Sequence, residues 1–355
     1  MSKYLSRRFD DMRAYTPGEQ PQDRSYIKLN TNESPFPPAP GVLDALSRDE
    51  AGRLNLYPDP DTRVASAALA ASFGLTPERM ILGNGSDEIL AFCFLAFCDP
   101  ETPAVFADIT YGFYEVFARV FCVPSRVVPL DDQLRIDPKR FCPAGGTLFL
   151  ANPNAPTGQA LELGAIEDIL RENPRHVVVI DEAYAAFGAQ SVIPLIARYE
   201  NLVVVQTMSK SRNLAGARIG YAVGNPALIS DLNQMKFSFN PYNVNRLSLL
   251  AAAAAVRDTG YYETCVGAIK ATRAATAGEL ARRGFTVLPS AANFLFARPN
   301  FMGGEAYYLA LKERGVLVRH FRRARIDAYV RITIGTEDQM RALLIATDAI
   351  MRESA

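Results

Sequence analysis

Three charged side chains stand where apolar runs of the sequence end or begin, and their types suit chemistry on amino and carbonyl groups. Asp181 closes HVVVID, Lys210 comes shortly after NLVVVQT, and Arg218 opens RIGYAVG. A lysine in a partly dry site has a lowered pKa and becomes a nucleophile that forms a Schiff base with an aldehyde. Each residue alone also has a plain interpretation, as a solvated lysine, a salt-bridged aspartate or a surface arginine, so only their coincidence points to a site.

The segment GNGSDE (83–88) is a candidate phosphate-binding loop. It follows the short apolar run RMILG, and Ser86 is the expected N-cap of a helix over 86–97 with Asp87 and Glu88 in its first turn. Backbone N–H groups at such a helix start bind phosphate, whereas the plain alternative is a capped turn that binds nothing.

Together these residues match the needs of pyridoxal phosphate. That cofactor requires a lysine for its Schiff base, an acidic partner for its pyridine nitrogen and a cradle for its phosphate. Tyr111, in ITYG, supplies an aromatic ring that would stack beside the cofactor. The sequence therefore predicts pyridoxal phosphate as the cofactor.

Continuous apolar runs predict the sheet that positions these side chains. Unbroken runs rather than alternation indicate strands buried on both faces, as in a mostly parallel sheet covered by helices, and ligands bind beyond the carboxyl ends of such strands. The fold class is therefore α/β, with strands expected at 79–83, 104–108, 147–152, 176–181, 201–207 and 218–224.

The pattern changes after residue 260, where a long helix (261–283) precedes strands that alternate with helices. This predicts a smaller α+β domain. We assign an N-terminal arm with part of the small domain to 1–44, a large cofactor-binding domain to 45–265 and a C-terminal small domain to 266–355.

Two local patterns of the C-terminal region bear on the site. Thr336 and Gln339 have the spacing of a capping box, which predicts that the last helix begins there. In the strand expected at 329–334, Arg331 lies on the face opposite Val330 and Ile332, so it can face a site while they pack in the core.

Composition excludes several classes of function. Lysine plus arginine equals aspartate plus glutamate at 38 each, which excludes a globally basic nucleic-acid binder, and we expect no nucleic-acid partner. No apolar run reaches the roughly 18 residues of a membrane helix, and no signal peptide is evident, so we expect no membrane association and a cytoplasmic location. Five cysteines without a C-x-x-C pair, with only two histidines, predict no metal site.

The motifs and their order resemble the histidinol-phosphate aminotransferases, a family of class-II, fold-type-I aminotransferases that use pyridoxal phosphate. The resemblance implies a large domain with a mostly parallel central sheet plus a smaller α+β domain, and transamination between histidinol phosphate and 2-oxoglutarate in histidine biosynthesis. The matching segments include LNTNESPFPP (29–38), NLYPDP (55–60), GNGSDEIL (83–90), TYGFY (110–114), NPNAPTG (152–158), VVVIDEAY (177–184), TMSKSRNLAGARIGYAVG (207–224) and YVRITIGT (329–336).

The resemblance also implies roles for individual residues. Lys210 forms the Schiff base and moves the proton between the substrate and the cofactor, Asp181 keeps the pyridine nitrogen protonated, and Tyr184 donates to the phenolic oxygen. The other implied cofactor contacts are Gly85, Ser86, Asp87, Tyr111, Asn154, Thr207, Ser209 and Arg218, with Tyr57 contributed by the neighbouring subunit of a homodimer. The implied substrate contacts are Arg331, Arg319, Asn32 and Tyr15.

The sequence departs from the common pattern at NPNAPTG, because Ala155 stands where the fold has an asparagine that contacts the phenolic oxygen. Asn154 is offset by one residue, so its side chain is expected to point elsewhere unless the loop lets it take over the contact. The basic run RHFRRAR (319–325) is either a solvated loop or an edge that recognises phosphate.

Three other activities stay open at this level. An aromatic amino acid aminotransferase and a same-fold lyase, such as a decarboxylase of a phosphorylated amino acid, would share the lysine, the aspartate and the arginines. A catalytically silent cofactor-binding regulator would bring an additional DNA-binding domain, and no helix-turn-helix segment is left over for one.

Overall fold

The structure is a computed structural model that describes residues 4–9, 12 and 14–354. Its helices are α1 (Pro40–Ala45), α2 (Arg48–Ala51), α3 (Arg63–Ser72), α4 (Ser86–Phe97), α5 (Phe113–Val120), α6 (Leu163–Glu172), α7 (Pro226–Phe239), α8 (Arg246–Arg257), α9 (Thr259–Arg282), α10 (Gly304–Glu313) and α11 (Glu337–Ser354). Its strands are β1 (Ile27–Lys28), β2 (Met80–Asn84), β3 (Ala104–Ala107), β4 (Ser125–Val128), β5 (Thr147–Ala151), β6 (Val178–Asp181), β7 (Leu202–Thr207), β8 (Ile219–Gly224), β9 (Phe285–Val287), β10 (Phe294–Pro299), β11 (Val316–Leu317), β12 (Arg319–His320) and β13 (Val330–Thr333).

Seven strands form the central sheet in the order β2-β8-β7-β6-β5-β3-β4. All run parallel except β8, which is antiparallel to both of its neighbours. The predicted mostly parallel sheet is confirmed, and its inner strands are buried throughout nearly their whole length. Because β8 runs in reverse, its first residues lie at the same edge as the last residues of β2, β6 and β7. Arg218 therefore lies at the same end of the sheet as Asp181 and the segment after β7.

Two local expectations for the central sheet need correction. Ser86 is not the N-cap of α4, since Gly85 holds that place with a φ of +85° and no side chain caps the helix. This left-handed backbone favours glycine, and the turn brings Ser86 against β8. The edge strand β4 was not predicted, because Ser125, Arg126 and Val127 are exposed and give no apolar run.

The C-terminal elements build a second, antiparallel sheet in the order β12-β13-β10-β9. It packs with α9, α10 and α11 around a separate apolar core that includes Phe285, Tyr307 and Ile332. The predicted capping box is confirmed: Gln339 Oε1 accepts from the Thr336 N–H at 2.9 Å, and Thr336 Oγ1 accepts from the Gln339 N–H at 3.2 Å. The apolar run GVLVR (315–319) is divided between β11 and β12.

The arm contributes to both cores: Leu29 belongs to the second, whereas Ala39 and Val42 belong to the first. Strand β1 pairs in parallel with β11, and Leu29 is buried among the apolar residues of the C-terminal elements. The division of the chain into an arm, a large domain and a small domain, with a boundary at residue 265, stays a prediction. None of the helices in the described ranges is long and apolar enough to cross a membrane.

Candidate active site

A cavity of about 580 Å³ opens at the carboxyl edge of the central sheet. Its floor comes from the segments that follow β2, β6 and β7. The opposite wall comes from the arm and from the C-terminal sheet. Most of the site residues expected from the sequence line this cavity: Tyr15, Asn32, Ser86, Asp87, Tyr111, Asp181, Tyr184, Thr207, Ser209, Lys210, Arg218, Arg319 and Arg331.

Lys210 projects into this cavity from the loop after β7. Among the described residues, its Nζ has one weak hydrogen-bond partner, the Thr31 carbonyl oxygen at 3.5 Å. Burial, and after it the charge of Arg331, lowers the pKa of Lys210 to about 8. At pH 7 roughly a tenth of the amine is therefore uncharged, far more than for a lysine with the ordinary pKa, and the neutral amine is the form that makes a Schiff base.

Asp181 ends β6 on the cavity floor and is buried. Its Oδ2 accepts from the Tyr114 hydroxyl at 3.0 Å, and its Oδ1 accepts from the Ala183 N–H at 3.1 Å. Burial raises the pKa of Asp181 to about 6 against these two hydrogen bonds. No lysine or arginine in the described ranges forms an ion pair with this carboxylate, so it suits a protonated ring nitrogen that enters the cavity.

The start of α4 and the start of β8 form a cradle of the kind a phosphate needs. A Cβ added at Gly220 would lie 2.2 Å from the Ser86 nitrogen, and one at Gly85 would lie 2.4 Å from Arg218 Nη2. The two glycines thus let the helix start and the guanidinium approach each other. Backbone N–H groups at a helix start and a nearby arginine together bind phosphate well.

Asp87 links this cradle to the ring of Tyr111. Its Oδ2 lies 3.2 Å from Arg218 Nη2, and its Oδ1 accepts from the Tyr111 hydroxyl at 2.5 Å. Beside the cradle, the Thr207 hydroxyl contacts Ser209 Oγ at 3.0 Å. The floor therefore offers every group that pyridoxal phosphate requires: a lysine, a carboxylate, an aromatic ring and a phosphate cradle.

The Asn-Pro loop after β5 places Ala155, and not Asn154, on the cavity wall. The Asn154 amide is buried against the segment after β3: Nδ2 donates to the Ile109 carbonyl at 2.9 Å, and Oδ1 accepts from the Thr110 hydroxyl at 2.8 Å. The structure therefore does not bring Asn154 to the cavity. Ala155 packs instead with Phe294 and the ring of Tyr184.

The opposite wall is a surface for anions. Arg331 is half-buried, with Nη2 donating to the Asn30 carbonyl at 3.1 Å and Nε without a partner in the described ranges. Arg319 donates to the Pro17 and Thr16 carbonyls at 3.0 and 2.9 Å. Tyr15 completes the wall with its ring centroid 4.3 Å from that of Phe113. As expected, the neighbours of Arg331 in β13 pack in the second core.

The basic run after β12 contains a site residue that the sequence analysis missed. Arg322 pairs with Glu305 and Arg325 pairs with Asp108, so these two arginines have structural partners. Arg323 lines the cavity, as do Arg319 and Phe321. Residues 319, 321 and 323 alternate along the chain, and this period of two was the signal that could have found Arg323.

Besides Asn154, two of the expected cofactor residues lie apart from the cavity of this chain. Gly85 is not among the lining residues, and its part is to admit Arg218. Tyr57 is 78% exposed, and its ring stacks on that of Tyr242 with centroids 4.5 Å apart. The contribution of Tyr57 to a neighbouring subunit stays a prediction.

The fold and this cavity define a fold-type-I enzyme that uses pyridoxal phosphate. The chain belongs to the family of class I and II aminotransferases, whose model matches residues 24–346. It is 47% identical to histidinol-phosphate aminotransferase 2 of Dechloromonas aromatica over 99% of both chains. It is 44% identical to a histidinol-phosphate aminotransferase of Clostridium acetobutylicum over 96% of this chain and 97% of the relative.

Solved structures of related enzymes are also similar to this chain. The crystal structure of histidinol-phosphate aminotransferase from Sinorhizobium meliloti in complex with pyridoxal 5′-phosphate superposes with a TM-score of 0.84 and 26% identity, covering 94% of this chain and 93% of that one. L-Threonine-O-3-phosphate decarboxylase from Porphyromonas gingivalis, at 22% identity and a TM-score of 0.78, covers 92% and 99% and shares the fold. Membership of the aminotransferase family and pyridoxal phosphate as cofactor are thereby confirmed.

Proposed function

We propose that this enzyme transfers an amino group between histidinol phosphate and 2-oxoglutarate, as in histidine biosynthesis. The observation that carries the proposal is the 47% identity, over 99% of both chains, to an enzyme of that name. The cavity supports it, because three arginines face a lysine and an aspartate across one space. A substrate pair with a phosphate in one partner and two carboxylates in the other needs such a cationic wall.

The residues of the floor would hold the cofactor. When bound, pyridoxal phosphate supplies an aldehyde carbon and an electron-accepting ring. The Ser86 N–H, Ser209 and Arg218 would bind its phosphate, Asp181 would keep a proton on its ring nitrogen, and Tyr184 would donate to its phenolic oxygen. Of these, Asp181 is the one whose burial makes pairing with a cation most favourable.

The remaining groups would act on the substrate. Lys210, with its lowered pKa, would take the proton from the substrate α-carbon and deliver it to the carbon of the cofactor that carries the aldehyde. Arg331 would bind the carboxylate of glutamate through the Nε that lacks a partner. Arg319, Arg323 and Tyr15 would face the phosphate end of histidinol phosphate.

A homodimer in a reducing cytoplasm fits the remaining features. Exposed apolar side chains gather near the Tyr57–Tyr242 pair, among them Leu54, Leu56 and Phe239. Such a patch is typical of a subunit interface. All five cysteines are free, as expected in a reducing compartment.

The direct test measures glutamate formed from histidinol phosphate and 2-oxoglutarate by the purified holoenzyme. We expect this amino donor to be used more efficiently than phenylalanine or tyrosine, and glutamate alone to bleach the visible band of the cofactor. Faster turnover of the aromatic amino acids would favour an aromatic aminotransferase. Release of carbon dioxide from O-phospho-L-threonine without bleaching by glutamate would favour the lyase.

Shared sites are tested by mixing two inactive variants. If Tyr57 serves the neighbouring subunit, a hybrid of Lys210→Ala and Tyr57→Ala subunits contains one site with both residues intact, and activity returns on mixing. If Tyr57 serves its own subunit, mixing restores nothing.

A further inference from the structure

The hydroxyl of Tyr184 is held by a residue far away in the chain. Asn32 Nδ2 donates to Tyr184 Oη at 2.9 Å. A tyrosine hydroxyl has one proton to donate, and its oxygen accepts. Because the oxygen is occupied by Asn32 and no residue of the described ranges accepts the proton, the O–H is left free for a group inside the cavity that Tyr184 lines.

The Asn32 amide is itself fixed by its surroundings. Thr333 Oγ1 accepts from the Asn32 N–H at 3.0 Å and lies 3.1 Å from Asn32 Oδ1. Since that hydroxyl accepts from the backbone, it donates to Oδ1, and this turns Nδ2 toward Tyr184. Asn293 Nδ2 donates to the Asn32 carbonyl at 3.0 Å, so backbone and side chain are both tied to the C-terminal sheet.

Asn32 also adopts a backbone conformation that most residues avoid. Its φ is +56°, in the left-handed region that asparagine tolerates better than other non-glycine residues. It is buried, with 1% of its surface exposed. A strained, buried asparagine with hydrogen bonds to three other residues is a rigid support.

The alanine at position 155 makes the support of Tyr184 by Asn32 important in this chain. The family resemblance implies an asparagine at this position as a second donor to the phenolic oxygen of the cofactor. In this chain the methyl group packs on Tyr184 and Phe294, and the amide of Asn154 is occupied elsewhere. Tyr184 is then the remaining side-chain donor, and any loss of its orientation has no substitute.

We propose that Asn32 is a positioning residue for Tyr184, directing its O–H to the cofactor and offsetting the donor absent at Ala155. An oxygen that accepts a hydrogen bond also makes its own O–H a better donor, so the Asn32 contact strengthens as well as orients. The inference deepens the proposed function, since it concerns the cofactor contact on which that function rests, but its test needs no amino donor.

The test is a spectral pH titration of the holoenzyme without substrate. Asn32→Gly removes the side chain, keeps the backbone bonds to Thr333 and Asn293, and suits the positive φ. Weakening the Tyr184 donor destabilises the anionic phenolic oxygen, so the midpoint of the visible absorbance change should rise, by about half to one pH unit. Tyr184→Phe should raise it further, and the double variant should match Tyr184→Phe because Asn32 acts through Tyr184.

The control is Asn213→Gly, which also replaces an asparagine at positive φ but one that contacts Pro37 and Cys265 instead of the cavity. It should leave the midpoint unchanged. An unchanged midpoint in Asn32→Gly, or shifts that add in the double variant, would overturn the proposal. If Asn32→Gly does not fold, Thr333→Val takes its place, and there too an unchanged midpoint counts against the proposal. Failure to use histidinol phosphate would overturn the proposed function alone.

Discussion

The charged side chains on the floor of the cavity and those on its opposite wall have different surroundings. On the floor, burial lowers the pKa of Lys210 to about 8 and raises the pKa of Asp181 to about 6, and neither group has an ion-pair partner among the described residues. On the wall, Arg319 and Arg331 donate to backbone carbonyls of the arm. The floor keeps its groups easily titrated, which suits proton transfer, whereas the wall keeps its charges fixed, which suits binding.

Because of this difference, substitutions in the two regions should have different effects on the enzyme. A carbonyl neutralises no charge, so the arginines of the wall keep their full attraction for an anion while staying oriented. The groups of the floor carry a desolvation cost that a bound cofactor relieves. Changes to the floor should therefore abolish chemistry, while changes to the wall should alter affinity and selectivity.

The largest effect is expected at Lys210. Lys210→Ala should lower turnover by at least ~10³-fold, because positioned acid–base groups contribute on the order of 10²–10⁴ and the covalent link is lost as well. Borohydride reduction of the holoenzyme followed by peptide mapping should label Lys210. The chain offers an internal control in Lys236, which is also buried but donates to the Pro60 carbonyl. A label at Lys236 would contradict the assignment of Lys210 as the lysine that forms the Schiff base.

The next largest effect, on substrate binding by the wall, is expected at Arg331. Arg331→Ala leaves the substrate carboxylate without a charge-assisted partner, and turnover of glutamate should fall by about two orders of magnitude. The visible spectrum of the bound cofactor should stay normal. Arg298→Ala is the control, since Arg298 is exposed on the neighbouring strand β10. Loss of the cofactor from Arg331→Ala would show that Arg331 is needed to hold the cofactor. The wall would then not be limited to substrate binding, and the distinction between wall and floor would be wrong.

A smaller effect should distinguish two adjacent arginines of the wall. Arg323 lines the cavity, whereas Arg322 pairs with Glu305. Arg323→Ala should raise the KM for histidinol phosphate roughly tenfold, as expected for one exposed charge contact, and leave the KM for glutamate unchanged. Arg322→Ala should change neither. Equal effects of the two variants would mean that the run 319–325 acts only through its general charge.

The sequence points to Lys210 and Asp181 on the floor but misses Arg323 on the wall, for a physical reason. Lys210 and Asp181 follow apolar runs, and such runs determine both the burial of a strand and the edge at which it ends. Arg323 lies in a polar run whose side chains alternate between partners and cavity. Which of them is free depends on Glu305 and Asp108, and both are distant in the chain.

Contacts across the fold account for the other gaps. The bond between Asn32 and Tyr184 joins residues 152 positions apart, and no local pattern marks it. The N-cap of α4 was misplaced by one residue because the close approach of Gly85 and Gly220 to their neighbours, and not capping chemistry, determines that turn. The capping box of α11, which depends on local spacing alone, was correct.

The smallest effect concerns the boundary between floor and wall, at Ala155. Ala155→Asn would add a donor beside Tyr184, and a donor to the charged form of the phenolic oxygen favours that form. The pH midpoint of the visible absorbance should therefore fall, by less than about one unit. Asn154→Ala is the matched control: its amide is bonded to Ile109, Thr110 and Thr157, so this change should lower the melting temperature by a few degrees and leave the midpoint unchanged. A rise of the midpoint in Asn154→Ala would mean that Asn154 already contacts the cofactor in the holoenzyme, and the donor at Ala155 would then not be missing.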